Sequence, residues 1–188
     1  MTPMDTRETI LKAARSMVQA HGYNALSFRE LAKEVGVKSA SVHYHFPTKG
    51  DLGVALARRY TDDLVAYLET LSASSKDEQR WSKYYTDVFR EPLINDNRMC
   101  LVGIMAAEHS DLPAEVRKEV DRFTDANVDW LAHVLSVRMR ETDKQALQQR
   151  AMAIFAAIEG AQLLARSKGD VSVFDTTISA YRSAGLLP

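Results

Sequence analysis

Residues 27–52, SFRELAKEVGVKSASVHYHFPTKGDL, constrain the fold of this 188-residue chain more than any other stretch. Ser27 with Glu30 three residues on spells a capping box, the reciprocal pairing that starts a helix. Leu31, Ala32 and Val35 give that helix an apolar face. Gly36 suits the left-handed turn that ends it, since it has no Cβ to clash. A second short helix follows, anchored by Val42 and Phe46 four residues apart and carrying Lys38, Ser39, Ala40, Ser41, His43, Tyr44 and His45. Two helices joined by a tight Gly-containing turn predict a helix-turn-helix, whose second helix enters the DNA major groove.

The run GVKSASVHYHFPTKGDL, preceded by HGYNALSFRELA, resembles the amino-terminal domain of the tetracycline-repressor (TetR/AcrR) family. The aromatic-rich HYHF followed by TKGDL makes the resemblance specific, and matching helix lengths extend it more weakly over the rest of the chain. One position departs: the family commonly has Tyr where this chain has His43, which keeps a donor but shortens its reach. The resemblance implies an all-α fold of about nine helices. A three-helix DNA-binding domain would occupy residues 1–50, and a helical effector-binding and dimerisation domain residues 51–188. It also implies a homodimeric transcriptional regulator, a repressor released from a pseudo-palindromic double-stranded DNA operator by a small molecule or electrophile. No cofactor is implied.

The remaining sequence agrees with a helical regulator. Only 8 Gly and 5 Pro occur, and few segments alternate with period two. The single Cys excludes an intrachain disulfide framework and suits a reducing cytosol. The start MTPMDTRETI lacks the apolar core of a signal peptide, and no 18-residue apolar run can span a membrane, so a cytoplasmic protein is expected. Residues 1–60 carry nine Lys/Arg against five Asp/Glu; the rest carry fifteen against twenty. A basic head on an acidic body is expected when one end meets phosphates.

Periodicity places helices at 4–21, over the recognition pair, at 48–70, and then at 78–90, 98–109, 113–139, 143–167 and 172–184, with a polar loop at 72–79. Thr48 is the expected N-cap of the long helix, with Asp51 three residues on. Lys49 adds an ammonium where helix N–H groups already favour an anion, so Thr48 and Lys49 form the expected phosphate clamp. Tyr44, His43 and His45 can hydrogen-bond phosphates and fix the register. Ser39, Ala40 and Ser41 let the helix approach base edges, and Lys38 and Arg29 are long enough to read guanine. The resemblance gives the same roles to Lys49 and Arg29. The i, i+2 spacing of His43 and His45 puts no two metal ligands on one helical face, so no metal site is expected.

In the body, residues 151–165, AMAIFAAIEGAQLLA, are apolar nearly all round, which requires burial on both sides. Met152, Ala156 and Leu163 are expected to cover the chain's own body. Leu147, Ala151, Ile154, Ile158 and Ala161, with Phe174, Ile178 and Tyr181, are expected to pair across a two-fold axis. The resemblance likewise implies dimerisation through the last two helices. Trp81, Tyr84, Tyr85, Val88, Met99, Cys100, Gly103, Ile104, Phe123 and Phe155 can line an aromatic effector pocket, or can simply be packed core. The segment RMCLVGIMAAEHSDLPAEVR resembles the N-ethylmaleimide-reductase repressor subgroup, which implies an electrophile-sensing role for Cys100. Flanked by Met99 and Leu101, Cys100 reads first as a packing residue.

Other function classes find little support. An enzyme would have to pair Cys100 with His109 or His133, since no Ser elbow, HExxH or phosphate loop occurs. A pure interaction adaptor would leave Lys49, Tyr44 and the basic head unexplained.

Overall fold

The computed structural model describes residues 6–74, 78–139 and 143–187. Among them are nine α-helices and no strand: α1 (Thr6–His21), α2 (Phe28–Val35), α3 (Ser39–His45), α4 (Lys49–Ser74), α5 (Glu78–Ile94), α6 (Leu101–Ala107), α7 (Ala114–Met139), α8 (Lys144–Lys168) and α9 (Val171–Ser183). A 3-10 turn, His109–Asp111, links α6 to α7. No helix among the described residues is long and apolar enough to cross a membrane.

Local chemistry sets most boundaries. The Asp143 side chain accepts from the N–H groups of Gln145 and Ala146 and starts α8. Gly169, at φ 63°, ends it in the left-handed region, and Asp170 immediately caps α9 by accepting from Ser172 N. A glycine and an aspartate thus make the whole α8–α9 turn. Helix α5 runs through Pro92 to Ile94 rather than stopping near residue 90. Proline forfeits its own N–H, but its carbonyl still accepts from Arg98 N at 2.8 Å as Asp96 and Asn97 turn left-handed. Helix α4 continues to Ser74, past the expected end at 70, and α6 is shorter than the expected 98–109. Residues 4 and 5 of the expected first helix, and 75–77 of the expected loop, lie outside the described residues.

The chain divides into two compact units, residues 1–61 with 101–123, and 62–100 with 124–188. This differs from a break at residue 50. In the first unit, Ile10, Leu11, Ala14 and Val18 of α1 form one buried core with Leu31, Val42, Phe46, Leu52, Leu56, Val116 and Val120. The 101–123 segment joins this unit because it supplies both apolar cover and carboxylates. Gly53 illustrates the closeness: a Cβ there would lie 2.8 Å from the Tyr23 ring and 3.0 Å from Val116. In the second unit, α8 packs against α5 and α9, and α5 also packs against α9.

Candidate nucleic-acid interface and core cluster

The reading pair is built from the turn outwards. Gly36, at φ 75°, ends α2 left-handed, and Val37 N donates to Ala32 O at 2.9 Å. The start of α2 departs from expectation. Ser27 is the N-cap but its side chain makes no cap hydrogen bond; only its carbonyl engages, accepting from Leu31 N at 2.9 Å. The Ser27–Glu30 capping box is therefore not formed. Val42 and Phe46 are buried at 0% and 2% and seat α3, with the Arg7 guanidinium 5.1 Å from the centre of the Phe46 ring.

Lys38, Ser39, Ala40, His43 and Tyr44 of this element are exposed, Ser41 and His45 half-buried, and Arg29 on α2 is exposed. Tyr44 is 83% exposed, a large aromatic that the first unit does not use in its core. His43 packs its ring 4.8 Å from the half-buried Phe28, and its Nδ1 lies 3.3 Å from the Pro47 carbonyl. A carbonyl only accepts, so that contact places the proton on Nδ1 and leaves Nε2 as the ring's other polar atom.

At the start of α4 the expected cap is present and complete. Thr48 N and Thr48 Oγ1 both donate to Asp51 Oδ2, at 2.9 and 2.7 Å, and Asp51 N donates back to Thr48 Oγ1 at 3.0 Å. Thr48 is thus engaged within the chain, and Asp51 already brings a negative charge to this helix end. Lys49 is also engaged. Its Nζ donates to Asn24 O at 3.0 Å and sits 4.8 Å from the centre of the Tyr23 ring. Burial lowers its pKa, with Glu108 pulling the other way. An ammonium has three donors, so the site retains capacity for phosphate while holding the α1–α2 connection.

That connection is secured by groups the sequence reading overlooked. Glu108 Oε2 accepts from Tyr23 N at 2.6 Å and Asn24 N at 3.2 Å, while Asn24 Nδ2 donates to Asp111 Oδ2 at 2.7 Å. Tyr23 Oη donates to Lys49 O at 3.0 Å; burial first, then Glu115, raises this phenol to about 12. Arg58 Nε donates to Glu119 Oε1 at 3.0 Å. No periodicity marks such long-range carboxylates; only their position in the folded chain reveals them.

The expected effector residues fall in both units. Gly103, Ile104 and Phe123 belong to the first, where Phe123 lies against Tyr60 at a ring separation of 5.5 Å. Trp81, Tyr84, Tyr85, Val88, Met99, Cys100 and Phe155 belong to the second. There the aromatic rings form a chain: Trp81 is edge-on to Trp130 at 5.5 Å, Trp130 stacks on Tyr85 at 5.2 Å, and Phe89 meets Tyr85 at 5.4 Å and Phe155 at 6.1 Å. Tyr84 and Val88 are half-buried at its margin.

Polar groups interrupt this apolar interior. Tyr85 Oη donates to Asn127 Oδ1 at 2.8 Å. Gln162, wholly buried, donates through Nε2 to Phe89 O at 2.5 Å and accepts from Cys100 N at 3.0 Å. Cys100 is 1% exposed. Beside it, both carboxylate oxygens of Glu159 are out of solvent, with the Cys100 thiol as a weak side-chain donor. Burial pushes the Glu159 carboxyl up to about 7, against a smaller opposing pull from the Cys100 thiol. Glu159 and Gln162, three residues apart in the otherwise apolar stretch 151–165, were the available signal in the sequence.

The two faces of α8 are the reverse of those expected. Leu147, Ala151, Ile154, Ile158 and Ala161 are buried within the chain, as are Phe174 and Ile178, with Tyr181 half-buried. That side is thus buried within the chain, where α8 packs against α5 and α9. Met152, Leu163 and Leu164 are instead 46%, 57% and 55% exposed, and Ala153, Ala156 and Gly160 on the same side are also exposed. Both sides are apolar, so hydrophobicity alone could not tell inside from outside. An open cleft of about 810 Å³ lies elsewhere on this unit, lined by Lys83, Asp87, Arg90, Asp175 and Arg182 among others. Its charges are largely paired: Arg90 makes two bonds to Asp175, at 2.7 and 2.9 Å, and Lys83 bonds Asp87 at 2.6 Å.

Comparison with known proteins resolves two matching families. Residues 10–56 match bacterial regulatory proteins of the tetR family, and residues 79–180 match the LmrA/YxaF-like transcriptional regulator C-terminal domain. The HTH-type transcriptional regulator LmrA of Bacillus subtilis is 29% identical over 167 residues, covering 85% of this chain and 86% of the relative. The crystal structure of a TetR transcriptional regulator from Legionella pneumophila superimposes with a TM-score of 0.87 at 31% identity, covering 98% of this chain and 99% of that one. E. coli NemR in its reduced form shares the fold, with a TM-score of 0.79 at 22% identity over 95% of this chain and 96% of its own.

Proposed function

Because the chain belongs to the TetR family of bacterial regulatory proteins, we propose that it is a homodimeric, effector-responsive repressor that reads a two-fold operator with α3. The observation that carries this reading is the seating of α3. Its buried Val42 and Phe46 leave Lys38, Ser39, Ala40, His43 and Tyr44 facing outward, a small and polar surface on a fixed support. Phosphate contacts from Tyr44, His43, His45 and Lys49 set the register; Lys38 and Arg29 supply donors for guanine, and Ala40 a methyl for thymine. Two copies are needed because one short helix reads too few base pairs, and half-sites on one DNA face lie roughly 34 Å apart.

The seam between copies is the exposed side of α8, with Met152, Ala156, Gly160 and Leu163 spaced along one stripe. Small residues there allow close helix approach, and an uncovered apolar stripe on a long helix is costly in a monomer. An effector entering the second unit has to bind the DNA-incompetent state more tightly than the competent one. About 10⁴-fold preference moves a 1:99 balance to 99:1. We assign Cys100 to packing in this scheme, since a thiol 1% exposed lacks the access that electrophile sensing requires.

The test is selection of an operator from random duplexes, followed by salt titration. Arg29→Ala should relax preference at one position by about 1–3 kcal/mol. Lys38→Ala should weaken binding and relax preference at a second position. Equal losses for both variants on selected and random DNA would contradict base reading by this face.

A further inference from the structure

The first unit surrounds its expected phosphate contact with acid. Glu108, Asp111 and Glu115, from the end of α6 to the first turn of α7, approach the α1–α2 bend and the start of α4. Carboxylates beside a DNA-facing lysine would ordinarily weaken phosphate binding, by repulsion and by taking up the ammonium. Here they do not take it up. Glu108 bonds backbone N–H groups: its Oε2 accepts from Tyr23 N at 2.6 Å and from Asn24 N at 3.2 Å. Asp111 Oδ2 accepts from the Asn24 side chain at 2.7 Å. The Lys49 ammonium donates instead to a neutral carbonyl, Asn24 O, at 3.0 Å.

These bonds form a closed path. Tyr23 Oη donates to Lys49 O at 3.0 Å, while Lys49 Nζ returns to Asn24 O and lies 4.8 Å from the centre of the Tyr23 ring. Lys49 is thus tied, at its backbone and at its ammonium, to the same two residues. Tyr23 and Asn24 lie between α1 and α2, outside either helical ladder, and Glu108 holds both of their N–H groups. The carboxylate reaches them because residue 22 is glycine: a Cβ there would fall 2.5 Å from Glu108 Oε1.

The arrangement leaves the cation both held and usable. An ammonium has three donors, and Asn24 O engages one of them. Burial lowers the Lys49 pKa and the Glu108 charge opposes that shift, so the carboxylate supports the charged form without occupying its donors. A free lysine side chain loses much rotamer entropy when it meets a phosphate. One already confined has less to lose.

We propose that Glu108, seconded by Asp111, is the positioning residue for the DNA contact of Lys49: by fixing the Tyr23–Asn24 backbone it pre-sets the ammonium for a phosphate. The inference rests on the reading above that Lys49 meets phosphate. Glu108 acts through Lys49, and its acceptor oxygen rather than its charge does the positioning. A role through charge alone has the opposite sign, since removing a carboxylate near the DNA would then strengthen binding.

Operator affinity of the full-length protein, measured by fluorescence anisotropy across a salt series, tests this. Lys49→Ala should weaken binding and flatten the salt slope by about one phosphate contact per subunit. Glu108→Ala should weaken binding on the order of tenfold without flattening the slope, because the ammonium still reaches phosphate from a less confined ensemble. Glu108→Gln loses the charge but keeps an acceptor, and should bind at least as tightly as the native chain. In a Lys49→Ala background, Glu108→Ala should add no further loss.

Three results would overturn the positioning role: native affinity in Glu108→Ala, Glu108→Gln as weak as Glu108→Ala, or a Glu108→Ala loss undiminished without Lys49. The last would mean that Glu108 only stabilises the head. Should Glu108→Ala fail to fold, Asp111→Ala, at an exposed pair with Asn24, takes its place. It should weaken binding only while Lys49 is present, and an unaltered affinity would sink the inference. Unchanged affinity and slope in Lys49→Ala would remove the phosphate reading beneath it as well. The expected Lys49→Ala response without any Glu108 effect would sink the positioning role alone.

Discussion

The buried Glu159 carboxyl makes the stability of this protein depend on pH in an unusual direction. Its pKa is raised from the ordinary 4.5 to about 7, chiefly by burial. An acid shifted upward holds its proton more tightly in the folded chain than in the unfolded one. Its contribution to stability is therefore complete below pH 4.5 and is lost as pH rises through about 7. At 1.36 kcal/mol for each pKa unit, full ionisation costs about 3 kcal/mol. Between about pH 5 and about pH 8 the native chain should lose about 2.5 kcal/mol, equivalent to roughly 5–10 °C in Tm for a chain of this length. Asp170 and Asp175, whose pKa values are lowered by hydrogen bonds to Ser172 and Arg90, act oppositely and only at acid pH. Urea unfolding at fixed protein concentration, repeated across this range for the native chain and Glu159→Gln, isolates the effect. The difference between the two should grow with pH in favour of the variant. Parallel pH profiles would refute the claim that burial outweighs the Cys100 thiol bond in setting this carboxyl's pKa.

Three further outcomes follow from the same geometry. Gln162→Leu deprives Cys100 N and Phe89 O of their side-chain partner and should cost about 2–4 kcal/mol in urea unfolding; a loss near zero would mean that the amide bonds are unimportant. Leu163→Asp places a charge on the exposed α8 stripe and should yield a folded monomer by sedimentation, with far weaker operator binding. Ile158→Asp, on the buried face, should unfold the chain; a folded Ile158→Asp monomer would restore the opposite face as the seam. Native Cys100 should resist maleimide until denaturant is added, and rapid labelling of the folded protein would reinstate the sensor role.

The elements whose signals are local were legible in the sequence. Gly36 ends α2, Thr48 and Asp51 cap α4, and Val42 with Phe46 anchor α3, because each effect depends on residues a few positions apart. The Ser27–Glu30 pattern shows the limit of such signals, since the spacing is right and the side-chain bond is absent. What depends on distant partners was not legible. Helix α8 is apolar on both sides, so its sequence left two orientations open, and contacts with α5 and α9 decide between them. Glu159 and Gln162 look like surface punctuation until the fold turns them inward. Lys49 reads as a free cation until Asn24 and Tyr23 are brought to it.

The reciprocal ties between Tyr23, Asn24 and the 101–123 segment bear on how portable the DNA-reading head is. A fragment ending at residue 61 retains α1, α2 and α3, yet it loses Glu108, Asp111, Glu119 and Val116. Two backbone N–H groups at the α1–α2 bend and the surface over Gly53 would then open to water. Grafting this head onto another body, or expressing it alone, therefore calls for a discontinuous excision that carries residues 101–123 along. The first unit is not a single continuous segment; its α1–α2 bend is held by a stretch of chain that begins forty residues after its first part has ended.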